Sequence, residues 1–259
     1  MNILVIGNGF DLAHALPTKY MHFLEFAKTF IECYQKEKII DWACWDVSNE
    51  INKYLKKMFS ALYEDENGQT KSEKEITRKL IEEIKNCIDN NFWLEYFGQC
   101  KMYLKENWID FESEISNVIQ SLDRDMHNSL HGNLTINDEI ELLSNEYLDD
   151  KYCKEDISFK QIRDDLQRDL LKLIRALEIY LVDFVEKIEC TCISPDIKNI
   201  KVDRVLSFNY TNTYEKLYGN LGIEFDYIHG KANINHTIET NNMVLGIDEY
   251  LSPDRRICI

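Results

Sequence analysis

Ile3-Leu4-Val5-Ile6-Gly7-Asn8-Gly9-Phe10-Asp11-Leu12 is the stretch on which the fold turns. Four apolar residues in a row predict a strand, and Gly7-Asn8-Gly9 ends it in a sharp turn toward a helix, as in the first unit of a nucleotide-binding sheet. Gly7 and Gly9 let the backbone turn tightly and approach a ligand closely. The third residue after Gly9 is Leu12, so the last glycine of a G-x-G-x-x-G fingerprint is missing. A sharp turn with no ligand is the plain alternative. An acid, Asp11, stands where a phosphate would be expected.

After Pro195 the pattern returns to short β-branched and aromatic runs bounded by turn residues: RVLSFN (204–209), EFDYIH (224–229) and MVLGID (243–248). TNTYEKLYGNLG (211–222) predicts a short helix between the first two, hence a βαβ unit and parallel strands. The carboxyl ends of parallel strands lie along one edge, where open α/β sheets bind ligands. That edge would collect Gly7-Asn8-Gly9, Asn209-Tyr210, His229-Gly230 and Gly246-Ile247-Asp248. Each has an ordinary reading: Asn209 as a loop tie, His229 as a satisfied, partly buried histidine, and Asp248 before Glu249 as a solvated turn. Their common edge points to a site.

Between residues 18 and 194 there is no proline, and apolar residues recur at helical spacing. Helices are predicted over 19–38, through Trp45, Ile51, Leu55 and Phe59, through Ile76, Leu80, Ile84 and Ile88, and within 92–122, where Trp108, Phe111, Ile115, Val118 and Ile119 recur. EDENGQTKSEKE (64–75) reads as an exposed loop, and 123–156 as an irregular connection. Ser158-x-x-Gln161 is a capping box opening a helix of about 30 residues. The fold class is therefore α/β: a Rossmann-like parallel sheet from 1–18 plus 196–259, with a mainly helical insertion over 19–195.

A net charge of −16, with no basic run interleaved with aromatics, repels a phosphate backbone and argues against nucleic acid. The eight cysteines include no C-x-x-C pair, and Cys190 and Cys192 read as buried or half-buried thiols rather than a metal or redox pair. With no basic segment before the first strand, reduced thiols in a cytoplasm are expected. No apolar run reaches the length of about 20 residues that a membrane span needs.

Gly7-Asn8-Gly9-Phe10-Asp11-Leu12 with Leu16-Pro17-Thr18 and Tyr20, Trp108-Ile109-Asp110-Phe111-Glu112, Ser207-Phe208-Asn209-Tyr210-Thr211, Ile228-His229-Gly230 and Leu245-Gly246-Ile247-Asp248 occur in order over almost the whole chain. Together they resemble the AbiH family of bacteriophage abortive-infection proteins. That family is in turn similar to the sirtuin group, whose Rossmann-type domains bind NAD and, in antiphage members, hydrolyse it. The resemblance implies an antiphage effector that binds NAD and cleaves its nicotinamide N-glycosidic bond, with Asn209 and His229 as catalytic residues. A histidine, with an ordinary pKa of about 6.5, suits deprotonation of a hydroxyl or water. Asn209 would orient the water or the ribose, and the Gly7–Gly9 turn with its helix N-terminus would receive the pyrophosphate.

The implied ligand-binding set adds Asn8, Phe10, Asp11 and Thr18 around the first turn, and Tyr210 and Asn212 after the second strand. Gly230, Gly246 and Asp248 join it at the later strand ends. Glu112 is either a further polar contact or a tie between helices, and Trp108 and Phe111 read as core. Asp11 departs from the sirtuin pattern, which has a hydroxyl there; it would hold a ribose hydroxyl, cap the following helix, or serve another ligand. No four-cysteine zinc module is present, which argues against a deacetylase, and no metal is expected. AbiH relatives continue past the fourth strand, so a shortened form or a missing strand is expected here.

Two rival readings stand beside this one. The first is a non-catalytic nucleotide-sensing or protein-interaction module whose helical insertion carries the interface. The resemblance to regulated effectors also implies, beside the nucleotide, a phage protein or defence-system sensor as partner and a homo-oligomer. The second is a metal-dependent phosphoesterase using Asp11 and Asp248, which lack the H-x-D or D-x-D spacing of a specific metal site.

Overall fold

A computed structural model describes residues 1–36, 49–63, 71–99, 111–116, 118–119, 159–190 and 193–245. The chain forms two compact units, Met1–Trp108 with Arg168–Val244, and Ile109–Gln167 with Leu245–Ile259. The architecture is mixed α/β and mostly helical, with a small parallel sheet.

The sheet belongs to the first unit. Strands β1 (Ile3–Ile6), β2 (Arg204–Ser207) and β3 (Glu224–Tyr227) run parallel in the order β1-β2-β3. Ile3 pairs with Arg204 and Ile6 with Ser207, while Arg204 pairs with Glu224 and Ser207 with Tyr227. Alternation sends Leu4 and Ile6 to one face, where they meet Val205, Phe225 and the rings of Tyr214 and Tyr218. Those rings come from a short helix (Thr213–Tyr218) that crosses from β2 to β3. Ile3 and Val5, on the opposite face, are exposed.

The predicted fourth strand needs correction. Residues 243–245 are not strand, and a single bond, Val244 N–H to the His229 carbonyl at 2.9 Å, joins that segment to the chain leaving β3. The path from 230 to 245 is a succession of turns fixed by side-chain hydrogen bonds, which takes its backbone groups out of ladder geometry. Residues 246–248 lie outside the described residues.

The helices of the first unit are α1 (Asn8–Ala13), α2 (Tyr20–Lys36), α3 (Glu50–Tyr63), α4 (Lys71–Ile88) and α5 (Phe92–Gln99), followed by α6 (Phe159–Ile179), which enters this unit at Arg168. Phe23, Phe26, Phe30 and Cys33 recur at three- and four-residue spacing along α2 and are all buried. Their rings meet Tyr180 and Phe184, with Phe26 4.9 and 4.7 Å from them, and Phe59 of α3, 5.4 Å from Phe30. Asn91 caps α5, accepting from the N–H groups of Trp93 and Leu94 and donating to the Asp169 carbonyl at 2.8 Å.

Two helical expectations are adjusted. Residues 71–75, expected in a loop, form the first turn of α4, because Lys and Glu are good helix formers and Glu75 gains ion pairs with Arg78 and Lys79 one turn on. The long helix opening near 158 is α-helical only to Ile179; it widens into a π turn over Tyr180–Phe184 and tightens into a 3-10 turn over Val185–Lys187. The proposed cap Ser158 and the connection 123–156 lie outside the described residues, as do Trp45 and Trp108. In the second unit, residues 111–116 are helical and Phe111, Ile115 and Val118 are buried.

Candidate functional site

Because Ile6, Ser207 and Tyr227 are cross-strand partners, the residues after them share one edge of the sheet. Asn209 bridges the first two strand ends. Its Nδ2 donates to the Gly7 carbonyl at 3.0 Å and its backbone N–H to Ser207 Oγ at 3.2 Å, while its Oδ1 is buried without a partner. Gly7 precedes α1 with φ −137°, in the β region open to any residue. A Cβ built on Gly7 or Gly9 would meet no atom within 4 Å. Neither backbone conformation nor internal packing calls for glycine at these two positions, so their missing side chains leave open ground above the turn. α1 has only six residues, so its dipole is small.

Asp11 is 1% exposed. Thr211 Oγ1 donates to its Oδ2 at 2.5 Å, and Thr213 Oγ1 lies 3.2 Å from Thr211 Oγ1. Burial pushes the Asp11 carboxyl above the usual carboxylate range, and the hydroxyls of Thr211 and Thr213, the charge of His14 and the Asn209 side chain oppose that rise without cancelling it. Asp11 Oδ1 has no partner. Helix α1 has no side-chain cap, which removes capping from the expected roles of Asp11.

A second carboxylate comes from the end of the long helix. Burial also raises the pKa of Glu186; the Asn212 N–H, Lys216 and Lys231 pull it down, and the charge of Asp11 pushes it further up. Its Oε1 and the Asn212 Oδ1 are buried without partners. Lys216 Nζ donates to the Glu186 carbonyl at 2.7 Å, while Lys231 pairs with Glu215 at 2.6 Å, and Glu215 in turn accepts from the Tyr227 hydroxyl at 3.0 Å. Burial and the neighbouring acids Glu215, Glu186 and Asp11 raise the Tyr227 pKa.

His229 leaves β3 on the same edge. Its ring packs edge-on to Phe208 at 5.5 Å and against Tyr210 at 6.3 Å. Gly230, with φ +85°, turns the chain so closely past Asn242 that a Cβ would lie 2.1 Å from its carbonyl oxygen; glycine is required there by the fold.

The family model for bacteriophage abortive infection AbiH matches residues 3–255. The chain belongs to this family. No curated protein and no solved structure matches it.

In this AbiH chain the structure gathers Gly7, Asp11, Asn209 and Asn212 into one cluster, with His229 one strand further along the edge. Asn8 accepts from the Thr18 hydroxyl at 2.5 Å, a tie that holds the chain after α1 across the turn. Phe10 packs in the sheet core against His14 and Tyr214, and Tyr210 donates to the Val244 carbonyl at 2.9 Å. Glu112 lies in the helical residues 111–116 of the second unit. Gly246 and Asp248 lie outside the described residues. Sequence reasoning did not single out Thr213 or Glu186. Thr213 follows the quoted Asn209-Tyr210-Thr211 motif by two residues; Glu186 sits in an amphipathic pattern with nothing local to mark it. No described helix is long and apolar enough to cross a membrane.

Proposed function

We propose that this AbiH chain acts in defence against bacteriophage by binding NAD at the carboxyl edge of its sheet and hydrolysing the nicotinamide N-glycosidic bond. The observation that carries the reading is the open ground over Gly7 and Gly9 beside the unpartnered Oδ1 of Asn209. A parallel sheet whose first strand ends in a glycine turn supports reading the core as Rossmann-like and sirtuin-type. The residues suit the nucleotide: glycines admit a close backbone approach, and buried acceptors without donors suit sugar hydroxyls. Asn209 orients the ribose or the attacking water, and His229 takes the proton released as the water attacks.

Purified protein incubated with NAD, with and without lysate from phage-infected cells, should release nicotinamide and ADP-ribose. Asn209→Ala and His229→Ala should each abolish release and phage protection while leaving the fold intact. Full activity in both variants would overturn the assignment.

One observation favours the binding-only alternative. Among the described residues no carboxylate meets the His229 ring to orient it; its neighbours are the rings of Phe208 and Tyr210. In that case NAD would be recovered unchanged, and His229→Ala would alter affinity alone.

A further inference from the structure

Buried polar atoms in folded proteins have partners in all but a few cases, and each exception calls for an explanation. Here four buried acceptor oxygens without a protein donor belong to one neighbourhood: Asp11 Oδ1, Glu186 Oε1, Asn209 Oδ1 and Asn212 Oδ1. Asp11 and Asn209 are 1% and 5% exposed, so solvent does not reach them freely. The four are linked in space. The Asn209 side chain acts on the Asp11 carboxyl, the charge of Asp11 acts on Glu186, and the Asn212 N–H supports the Glu186 carboxyl. Lys216 ties the last two, its Nζ donating to the Glu186 carbonyl at 2.7 Å and its N–H to the Asn212 carbonyl at 2.9 Å. They come from three distant segments: α1, the chain after β2, and the 3-10 turn that follows the π turn of the long helix.

A group that engages such a set turns donors toward it. Two carboxylates and two amide oxygens would also serve a hard cation, but the local charge argues against a dication. Lys216 and Lys231 already act on Glu186, and Lys231 pairs with Glu215. Two adjacent hydroxyls supply two donors without adding charge, and an acid accepting from a ribose hydroxyl is the recurring solution in dinucleotide sites.

We infer that Asp11 and Glu186, flanked by the side-chain carbonyls of Asn209 and Asn212, form a receptor for the vicinal diol of a ribose. This rests on the nucleotide reading above and deepens it. It sets the substrate class: nucleotides with a free 2′,3′-diol are held, and 2′-deoxynucleotides are rejected, because they leave a buried acceptor unpaired. Glu186 is a specificity residue delivered by the change of helical register.

The test is calorimetric binding to the full chain of NAD, of AMP and of nicotinamide mononucleotide, the last two each against its 2′-deoxy counterpart. Each mononucleotide carries a single ribose, so both halves of NAD are covered. At least one should bind its ribo form about tenfold or more tightly than its deoxy form, and Glu186→Gln and Asp11→Asn should shrink that preference. Glu186 is only half-buried, so its variant keeps the measurement available where Asp11→Asn disturbs folding. NAD binding with no ribo preference in either half, or a preference unchanged in Glu186→Gln, would overturn the diol receptor and leave the nucleotide reading standing. A diol-dependent mononucleotide with no NAD binding would do the reverse, and no binding by any probe would remove both. A thermal shift with magnesium alone that disappears in Glu186→Gln would replace the diol by a cation.

Discussion

Asp11 is a buried acid whose burial bears directly on stability. Burial raises the folded-state pKa of Asp11 and of Glu186 above the unfolded values. The folded state therefore binds more protons, and stability falls as pH rises from the unfolded carboxylate range through the folded values. Neutral isosteres escape this penalty. Asp11→Asn, without nucleotide, is expected to gain about 1–2 kcal/mol of unfolding free energy at pH 7–8, the size of a buried unpaired group. The gain should fade by about pH 2–3, below the unfolded carboxylate range, where both acids are protonated in either state. Urea denaturation across that range decides it; a variant less stable at every pH would mean the Thr211 hydroxyl outweighs burial. A gain in stability with a loss of binding is the usual signature of a functional group.

Turns and short elements separate glycines that the fold requires from glycines that it does not. Gly230→Ala forces an alanine to φ +85° and drives its Cβ into the Asn242 carbonyl, so a loss of about 2–3 kcal/mol is expected by thermal or chemical denaturation. Gly9→Ala places a better helix former in α1 with nothing near its Cβ, so stability should hold or rise by up to about 1 kcal/mol. The same methyl group fills the open ground over the turn, and NAD affinity should fall about tenfold or more by calorimetry. Unchanged affinity in Gly9→Ala would move the nucleotide away from this turn. Tyr218 is a comparable tie between elements, contacting His14 Nε2 at 2.7 Å and accepting from the Ser194 N–H at 2.8 Å, and Tyr218→Phe should lose about 1–2 kcal/mol.

Across the first unit, one buried acid holds the segment after β3 against the long helix. Glu178, fully buried, accepts from Arg175 at 2.6 Å, His236 Nδ1 at 2.6 Å, Asn241 Nδ2 at 2.6 Å and the Asn233 N–H at 3.0 Å. Arg175 also pairs with Glu83 of α4 at 2.8 Å. Removing the acid strands a buried guanidinium and several donors, so Glu178→Ala is expected to lose about 3–5 kcal/mol. Amide exchange should quicken most over 233–241, because those residues are held by side-chain bonds to this carboxylate rather than by a strand ladder. Exchange that quickens uniformly would assign Glu178 to the global core instead.

The sequence by itself determined the parallel strands, the helices described between residues 20 and 99, and the alignment of Gly7, Asn209 and His229 along one edge. Period-two and period-3.6 patterns and glycine turns are local signals, and a parallel register follows from a crossover helix. It misread 243–245 as strand, because a β-branched, apolar run looks the same whether its backbone bonds go to a ladder or to scattered partners. Only the tertiary structure joined Asp11 to Thr211, brought Glu186 to Asn212, and left Asp11 Oδ1, Glu186 Oε1 and Asn212 Oδ1 without donors. Those contacts link residues far apart in the chain through burial and through a switch from α to π to 3-10 hydrogen bonding, and neither leaves a periodic trace in the order of residues.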